Sequence, residues 1–461
     1  MALPPLKVIN PYDQEVVCEL SWDEGNLLNK KIADARHAYE IWRHVPIDER
    51  IRIIRQGLER FRSNAGKIAK DITVQMGKPL QQARREVETF FERAEYMISI
   101  ARESLAPDIL PSIEGFHRRI EHAPLGIVLN IAAWNYPLLI PVNVVIPALL
   151  AGNTVLLKHS AKTPLCGQYF ESAFGKLEPS NLVTHLVLTH EQTSRLLEDN
   201  RINYVAFTGS VPGGSHIYRQ AAKRFLDVGL ELGGKDPAYV AEDADIDFSV
   251  ENIVDGACYN AGQSCCAVER VYVHHKLYNE FLSKAKTVLE SYRLGDPLDD
   301  QTTMGPLASR SALEILERQI KDGISRGGRL LLGGKRLEGV KGNFFLPALL
   351  ADVPNDAEAM QEESFGPLVP VMAAANDEEA LSCMADSRYG LTASVWTSSR
   401  ERAERFARDL EAGTIYQNRC DYLDPALPWT GMRDSGMGST LSRYGFYHLT
   451  KRKSVHFKRR T

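Results

Sequence analysis

The spacing of apolar residues divides the chain into a helical first part and a mixed remainder. From Ile32 to Arg102, apolar residues recur at steps of three and four among many charged ones, which predicts amphipathic helices. The segment Arg118–His122 then alternates like an exposed strand, and Gly126–Ile131 is apolar enough for a buried one. The pattern therefore changes from helix to strand shortly after Arg102.

Buried strands alternate with helical segments between residues 126 and 232. Further strands are predicted at Thr154–Lys158, Val183–Leu188, Tyr204–Thr208 and Val228–Leu232. This alternation predicts right-handed βαβ units and a parallel sheet covered on both faces. Ligands of such sheets bind beyond the carboxyl ends of the strands.

A second α/β series is predicted from about residue 250 to residue 430. It comprises a helix at 251–258, strand Val268–Val273, helices Tyr278–Tyr292 and Ala312–Arg326, and strands Arg329–Leu332, Ala393–Trp396 and Thr414–Asn418. The two series predict two α/β lobes with a site near the seam between them.

Length, composition and charge are those of an ordinary globular protein. The 461 residues suggest two or three domains, and 44% hydrophobic with 25% charged residues argue against disorder. A net charge of −4 creates no field that attracts nucleic acid. The basic run within residues 451–460 is typical of a solvated or interface strand. We expect no nucleic-acid partner.

Targeting and membrane signals are not visible in the sequence. The N-terminus has neither the basic start nor the apolar run of a signal peptide. The longest apolar stretch, Leu138–Ala151, is interrupted by prolines and is shorter than the ~20 residues that a membrane helix needs. We therefore expect a cytoplasmic protein with no membrane partner. Seven irregularly spaced cysteines, without Cys-x-x-Cys or His-Glu-x-x-His, predict no disulfide framework and no metal site.

The candidate chemistry is a thiol and a carboxylate in glycine-containing turns. Cys265 and Cys266 follow Gly262-Gln263-Ser264, and Glu231 precedes Leu232-Gly233-Gly234-Lys235. A thiolate that attacks an electrophilic carbon and a carboxylate that acts as base suit covalent catalysis. Cys265 is favoured, because backbone amides at this junction would stabilise its thiolate, and only one of two adjacent thiols can face a given pocket. The remaining cysteines are predicted to pack as small apolar residues: Cys18, Cys166, Cys258, Cys383 and Cys420.

A glycine-rich turn is the candidate phosphate-binding element. No Gly-x-Gly-x-x-Gly is present, but the strand Tyr204–Thr208 is followed by Gly209-Ser210-Val211-Pro212-Gly213-Gly214 and a predicted helix. Gly209 and Gly214 permit a tight turn. Ser210 and the helix N-terminal amides are suited to holding a pyrophosphate.

Seven motifs make the chain resemble the aldehyde dehydrogenase superfamily over nearly its whole length. They are Ala133-Trp134-Asn135-Tyr136-Pro137, Leu156-Leu157-Lys158, Phe207-Thr208-Gly209-Ser210, Glu231-Leu232-Gly233-Gly234-Lys235, Gly262-Gln263-Ser264-Cys265, Glu363-Ser364-Phe365-Gly366-Pro367 and Ser435-Gly436-Met437-Gly438. The resemblance implies an α/β fold with two Rossmann-like lobes plus a small β oligomerisation flap. It also implies a cofactor-binding domain at 1–105 and 125–232, a catalytic domain at 233–432, and oligomerisation segments at 106–124 and 433–461.

The resemblance implies roles for three residues. The thiolate of Cys265 would attack an aldehyde, and the side-chain amide of Asn135 with the Cys265 N–H would hold the oxyanion. Hydride transfer to NADP or NAD would leave a thioester, which water activated by Glu231 would hydrolyse. Relatives that acylate coenzyme A need no such base, so Glu231 favours hydrolysis. The three residues together also argue against a non-catalytic role.

The resemblance also assigns cofactor contacts. Lys158 and Glu363 match residues that bind the two riboses, Phe365 matches the residue beside the nicotinamide, and further contacts fall on Trp134, Ser160, Lys162, Gly209, Ser210, Gly214, Leu232 and Gly233. Many NAD-preferring relatives carry a glutamate where this chain has Ala161. Loss of that negative charge favours NADP, with Ser160 or Lys162 as partner of the 2′-phosphate. We predict use of both cofactors or a preference for NADP.

The substrate pocket departs from one branch of the family. Relatives that oxidise succinate semialdehyde carry arginines where this chain has Asn143 and Tyr259. Neither residue pairs bidentately with a carboxylate, which disfavours a dicarboxylic semialdehyde unless another arginine reaches the pocket. Tyr136, Tyr259 and Trp429 instead predict an aromatic box for medium-chain, aromatic or amino-substituted aldehydes.

The resemblance further implies a homodimer or homotetramer. The strand Arg118–His122 and the tail Ser454–Lys458 match the oligomerisation flap. The alternating pattern of residues 118–122 predicts an edge strand that awaits a partner.

Overall fold

The computed structural model describes residues 4–459, so the outermost residues of the predicted terminal segments and the last basic residue of the tail lie outside it. The described chain begins with β1 (Leu6–Ile9) and β2 (Val16–Leu20), which form a hairpin, followed by α1 (Gly25–Trp42), α2 (Ile47–Arg62), α3 (Ala65–Met76) and α4 (Leu80–Ser104). The helical prediction for residues 32–102 is confirmed as four separate helices. Pro46 and Pro79 precede α2 and α4, because proline cannot continue a preceding helix but suits the start of the next.

The first α/β lobe contains the predicted parallel sheet. After β3 (Asp108–Ile109) and β4 (Phe116–Pro124) come β5 (Ile127–Ile131), α5 (Leu139–Leu150), β6 (Thr154–Lys158), α6 (Pro164–Phe174), β7 (Val183–Leu186), α7 (His190–Leu196), β8 (Ile202–Thr208), α8 (Val211–Ala222) and β9 (Asp227–Glu231). Strands β9, β8, β5, β6 and β7 are parallel neighbours. All residues of β5 and β6 are buried, as expected for strands covered by helices on both faces.

Helix α5 occupies the apolar stretch that the sequence analysis left without an element. Every residue of this helix is buried, which is the environment of a helix that is hydrophobic all round. It packs against α2, α4 and β6, and against the helix Ser442–His448 near the C-terminus. No helix within residues 4–459 is long and apolar enough to cross a membrane.

The second α/β lobe is built on a seven-stranded sheet. Its elements are β10 (Asp236–Val240), α9 (Ile246–Cys258), β11 (Val268–His274), α10 (Tyr278–Glu290), α11 (Arg310–Ser325), β12 (Arg329–Leu332), β13 (Ala348–Ala351), α12 (Glu358–Gln361), β14 (Leu368–Ala374), α13 (Asp377–Ala385), β15 (Tyr389–Gly390), β16 (Thr392–Trp396), α14 (Arg400–Asp409) and β17 (Thr414–Gln417). The strand order is β12-β13-β14-β11-β10-β16-β17, and β12 alone in this sheet is antiparallel to its neighbour.

The helix predicted at 251–258 begins earlier than the sequence pattern indicated. Asp245 caps α9 by accepting a hydrogen bond from the Phe248 amide at 3.1 Å, so the helix begins at Ile246.

The chain ends in the small sheet that the resemblance implied. The last elements are β18 (Met432–Arg433), β19 (Gly436–Met437), α15 (Ser442–His448) and β20 (Thr450–Lys458). Strand β20 pairs antiparallel with the whole of β4, and β3 pairs with the other side of β4. The prediction that Arg118–His122 is an edge strand is therefore wrong, because the chain's own C-terminal strand fills that edge. Strand β19 joins the first lobe's sheet beside β9.

Candidate active site

Cys265 lies in a loop shaped by three consecutive residues with left-handed backbone. After α9, Asn260, Ala261 and Gly262 have φ of 54°, 54° and 71°. A Cβ at Gly262 would lie 2.4 Å from the carbonyl oxygen of Gly366, so only glycine fits there. This turn reverses the chain between α9 and β11 and leaves the Cys265 side chain half-buried.

Asn135 follows β5 and is tied to the Cys265 loop by hydrogen bonds. Its side-chain Nδ2 donates to the carbonyl of Gln263 at 3.2 Å. Its own carbonyl accepts from Lys78 Nζ at 2.9 Å and from Asn260 Nδ2 at 3.1 Å. Within the described chain, the backbone N–H of Cys265 has no backbone acceptor. One amide N–H of Asn135 and the N–H of Cys265 therefore have no acceptor among the described residues.

Glu231 ends β9 and is held by two threonines. Thr208 Oγ1 donates to its Oε2 at 3.2 Å, and Thr440 Oγ1 donates to its Oε1. Burial raises the pKa of Glu231, while the hydrogen bonds from Thr440 and Thr208 and the charge of Arg93 oppose that rise. The carboxylate is thus oriented and has an elevated pKa, as a general base requires.

The three candidate catalytic residues line one cavity. Asn135, Glu231 and Cys265 all contribute to a cavity of about 400 Å³. Most of the residues predicted to bind a cofactor line the same cavity: Trp134, Lys162, Gly209, Ser210, Leu232, Gly233, Glu363 and Phe365. The structure thus brings the predicted chemistry and the predicted cofactor site together at the carboxyl ends of the first lobe's strands.

Three predicted cofactor residues are not on the lining of this cavity. Lys158 ends β6 and is 7% exposed. Ser160 Oγ accepts from the backbone N–H of Lys162 at 3.3 Å. A Cβ at Gly214 would lie 2.5 Å from the side chain of Leu232, so this glycine lets α8 approach the strand-end loop closely.

Trp134 is enclosed by a cation and an aromatic ring on the cavity wall. Lys162 Nζ lies 4.5 Å from the centroid of the Trp134 ring, and burial lowers the pKa of Lys162 to about 8. The rings of Trp134 and Phe365 meet edge-on with centroids 5.6 Å apart. These contacts give the cavity an apolar corner, formed by two rings at 74° to each other, beside a cationic group.

The turn before α8 has the structure that the sequence predicted. Ser210 is the N-cap of α8, and its Oγ accepts from the Gly213 N–H at 3.3 Å. Since Gly209 and Ser210 line the cavity, the N-terminal end of the helix is directed at it. Such an end attracts phosphate groups.

A buried ion pair positions Glu363 and Phe365, and the sequence analysis did not identify it. Glu269 accepts from the backbone N–H of Phe365 at 2.9 Å and pairs with Lys235 Nζ at 2.9 Å. Glu363 accepts from the backbone N–H of Gly234 at 3.3 Å, and burial raises its pKa. A Cβ at Gly233 would lie 2.2 Å from Glu363, so the carboxylate sits directly against bare backbone.

Cys266 has a different environment from Cys265. Its Sγ is buried and lies 3.1 Å from Oδ1 of Asp421, which also accepts from Ser264 Oγ at 2.7 Å. The pKa of the Cys266 thiol is raised well above its usual range by its contact with Cys265 and by burial. Burial raises the pKa of Asp421 to about 7. Cys266 is therefore a hydrogen-bond donor to a carboxylate and lies away from the cavity lining.

The predicted substrate residues do not line one common cavity. Tyr259 lines a second cavity of about 420 Å³, together with Asp255, Asp421 and Tyr422. Trp429 lines a separate, smaller recess that also includes Tyr422. Tyr136 is half-buried, and Lys78 Nζ lies 4.1 Å from its ring centroid; Asn143 is buried on α5.

Arg93 is the residue of this region that the sequence analysis missed. Its Nη1 donates to Asn143 Oδ1 at 3.2 Å. It lies on the buried face of α4 with Val87, Phe90 and Ala94. A charged residue within an apolar stripe at helical spacing is the signal that identifies it.

The "Aldehyde dehydrogenase family" profile matches residues 3–455. The chain belongs to the aldehyde dehydrogenase family. It is therefore an oxidoreductase, and the predicted enzyme class and fold are confirmed. Among residues 4–459, no group of three His, Cys, Asp or Glu side chains is placed to hold a metal ion.

Several relatives of this aldehyde dehydrogenase match over nearly their whole length. Succinate-semialdehyde dehydrogenase (NADP(+)) of Deinococcus radiodurans is 34% identical over 98% of this chain and 94% of its own. The crystal structure of lactaldehyde dehydrogenase from Escherichia coli has a TM-score of 0.94 at 32% identity, covering 99% and 96%. Succinic semialdehyde dehydrogenase from Streptococcus pyogenes, in complex with NADP+, has a TM-score of 0.93 at 29% identity, covering 98% and 100%. The cofactor prediction, NADP or NAD, agrees with the NADP(+) named for the Deinococcus and Streptococcus proteins.

Proposed function

We propose that this aldehyde dehydrogenase oxidises an aldehyde to a carboxylic acid, with Cys265 as nucleophile and NADP or NAD as hydride acceptor. The observation that carries the proposal is the shared cavity of Cys265, Asn135 and Glu231. Thiol, amide and carboxylate converge there from two loops and the end of strand β9, which is the arrangement expected of a nucleophile, an oxyanion donor and a base.

The first half of the reaction uses Cys265 and Asn135. The Cys265 sulfur donates an electron pair to the aldehyde carbon, a C–S bond forms, and the carbonyl π electrons move to oxygen. The amide of Asn135 and the N–H of Cys265 donate hydrogen bonds to that oxyanion, each contributing a few kcal/mol. A nicotinamide dinucleotide held in this cavity would supply the hydride acceptor. As the hydride left and the C=O bond re-formed from the oxyanion, Cys265 would be left carrying a thioester.

The second half uses Glu231. Its carboxylate takes a proton from water, the oxygen adds to the thioester carbon, and the Cys265 thiolate leaves as the C–S bond breaks. Hydrogen bonds from Thr208 and Thr440 fix the orientation of the carboxylate. The elevated pKa makes Glu231 a stronger base than a solvated carboxylate.

The cavity suits a nicotinamide dinucleotide, and we propose that NADP is accepted at least as well as NAD. The α8 N-terminus offers amides to a pyrophosphate, and Trp134 and Phe365 offer apolar faces. Ala161 is exposed beside this region and carries no charge to repel a 2′-phosphate, whereas Lys162 supplies an attractive one.

For the substrate, we propose a short aldehyde with a polar or anionic far end. Relatives named for succinate semialdehyde and lactaldehyde support this class. Asn143 and Tyr259 stand where succinate-semialdehyde-oxidising relatives carry arginines, but Arg93 on α4 contacts Asn143 and supplies a guanidinium there. A semialdehyde with a distal carboxylate is therefore compatible with this chain. An amino-substituted aldehyde is the second candidate, because Asp255 and Asp421 line the second cavity. The predicted medium-chain and aromatic aldehydes stay in the test panel.

The test is NAD(P)H formation from hexanal, benzaldehyde, 4-aminobutanal and succinate semialdehyde, with each cofactor and without coenzyme A. We expect steady turnover, and in Glu231→Gln a single burst near one NAD(P)H per active site. If activity strictly required coenzyme A, the acyl group would be transferred from Cys265 to coenzyme A and not hydrolysed. No activity with any aldehyde would refute the proposal.

We further propose that the sheet of β3, β4 and β20 mediates a dimer or a dimer of dimers. Its outer strands expose Ile109 and Phe457, which are 68% and 58% accessible, and such edges favour pairing with another chain. Analytical ultracentrifugation of the full chain and of a chain ending at residue 449 tests this assembly. Loss of the dimer on truncation is the expected result.

A further inference from the structure

Arg93 is a buried guanidinium on the apolar face of α4. Phe90 and Ala94 on the same face are fully buried, and Arg93 itself is only 6% exposed. A charged side chain almost never occupies such a position without an ion-pair partner, because desolvation costs several kcal/mol per ion. An anion bound next to Arg93 would therefore stabilise this buried charge.

Among the described residues, no carboxylate forms an ion pair with Arg93. The side chain of Arg93 makes one hydrogen bond within residues 4–459, from Nη1 to the neutral side chain of Asn143, and its buried Nε has no partner. The carboxylate of Glu86 is already engaged by Lys78 and by the backbone N–H of Leu138. The positive charge and most of the five N–H donors of Arg93 remain available.

Arg93 also lies within electrostatic reach of the reacting groups. Its charge lowers the pKa of Glu231. Burial lowers the pKa of Arg93, and the nearby acidic groups of Cys266, Glu231, Glu86 and Cys265 oppose that effect. The packing of α4 supports the same placement, because Glu86, about two helical turns before Arg93, accepts from the Leu138 N–H just after Asn135. Asn143, which Arg93 contacts, follows on α5, so Arg93 lies on the side of α4 that packs behind the Asn135 turn.

We propose that Arg93 binds the distal carboxylate of the aldehyde, which makes short ω-carboxylated aldehydes the preferred substrates. The inference rests on the proposed aldehyde dehydrogenase activity and specifies its substrate. A guanidinium holds a carboxylate through two parallel N–H···O bonds, and the unfilled Nε provides one side of that fork. The substrate would fill the donors that the protein leaves open and would neutralise the buried charge.

The test compares succinate semialdehyde with butanal, which has the same carbon count but no carboxylate. In Arg93→Gln we expect the ratio of kcat/KM for succinate semialdehyde to that for butanal to fall about 100-fold, mainly through KM. Arg102→Gln on the same helix is the matched control, since Arg102 pairs with Asp48 at the surface. NADP binding, followed by fluorescence titration, verifies that Arg93→Gln is folded.

Asn143→Asp is a second variant that retains Arg93. It places a carboxylate against the guanidinium, so we expect an unchanged or higher melting temperature and at least a tenfold higher KM for succinate semialdehyde. An unchanged KM in this variant overturns the inference. An equal fall in kcat/KM for both substrates in Arg93→Gln, together with an acid limb of the pH–rate profile that lies at higher pH, also overturns the inference. That result would assign Arg93 to setting the pKa of Glu231. A wild-type enzyme inactive on both aldehydes and on the whole panel refutes the proposed function itself.

Discussion

The hydroxyl of Thr440 donates a hydrogen bond to the carboxylate of Glu231, across 209 residues of sequence. This bond lowers the pKa of Glu231 against the rise caused by burial. The C-terminal segment after β19 therefore sets the basicity of a residue that ends a strand of the first lobe.

Thr440→Val is expected to move the acid limb of the pH–rate profile to higher pH. The general base must be deprotonated, so activity falls as pH drops through the pKa of Glu231, and removing a hydrogen bond to the carboxylate raises that pKa. Measuring kcat from pH 5 to pH 9, with hydrolysis rate-limiting, checks the shift. Thr430→Val is the control, because Thr430 donates to the carbonyl of Gly438. An unmoved acid limb would show that Glu231 is not the titrating base.

Cys265→Ala is expected to lower kcat by about 10⁴-fold or more, as loss of a nucleophile does. Cys266→Ala is expected to retain activity within about tenfold, because this thiol is buried, carries a raised pKa and donates to Asp421. The measurement is steady-state turnover, together with the stoichiometry of labelling by iodoacetamide. A greater loss of kcat in Cys266→Ala than in Cys265→Ala would assign the role of nucleophile to Cys266.

Ala161→Glu is expected to raise KM for NADP by at least about tenfold and to leave KM for NAD nearly unchanged. The new carboxylate stands beside Ser160 and Lys162, where it repels a 2′-phosphate and competes for the lysine. Ala161→Gln, with nearly the same shape and no charge, serves as control. Equal effects of the two variants on NADP would point to side-chain size as the cause.

Glu86→Gln is expected to destabilise the protein by about 3–5 kcal/mol, since it leaves the buried ammonium of Lys78 without its partner. Lys78 and Glu86 have side chains that are 0% and 2% exposed. Urea denaturation followed by tryptophan fluorescence measures the change. Glu88→Gln, which removes a surface pair with Arg85, is the control and is expected to have no measurable effect. Wild-type stability in Glu86→Gln would mean that Lys78 is neutral in the folded protein.

Local signals predicted much of the fold, whereas the family resemblance identified most of the residues that line the cavity. The run Thr154–Lys158 is a fully buried strand, as its apolar content indicated, and Ser210 begins a helix in the way that serine caps do. The glycines at 209 and 233 were recognisable because turns and close approaches require them.

Long-range contacts account for what the sequence did not reveal. Strand β4 was predicted to be an edge strand, because its alternating pattern does not show that β20 pairs with it from the far end of the chain. Glu269 and Arg93 act on residues distant in sequence, and a single helix or strand pattern does not indicate which partner a charged side chain meets. Helix α5 carries two prolines, which obscured its helical character.

The bond between Cys266 and Asp421 has a consequence for exposure to peroxide. A sulfenic acid formed on Cys265 is rescued when a neighbouring thiolate condenses with it to a disulfide. Cys266 is adjacent in sequence, but its buried thiol already donates to the carboxylate of Asp421, and a disulfide would break that hydrogen bond, so Cys266 is a poor resolving partner. Oxidative damage to this enzyme is therefore expected to proceed to the irreversible sulfinic acid, and long storage of active protein will depend on an added reductant.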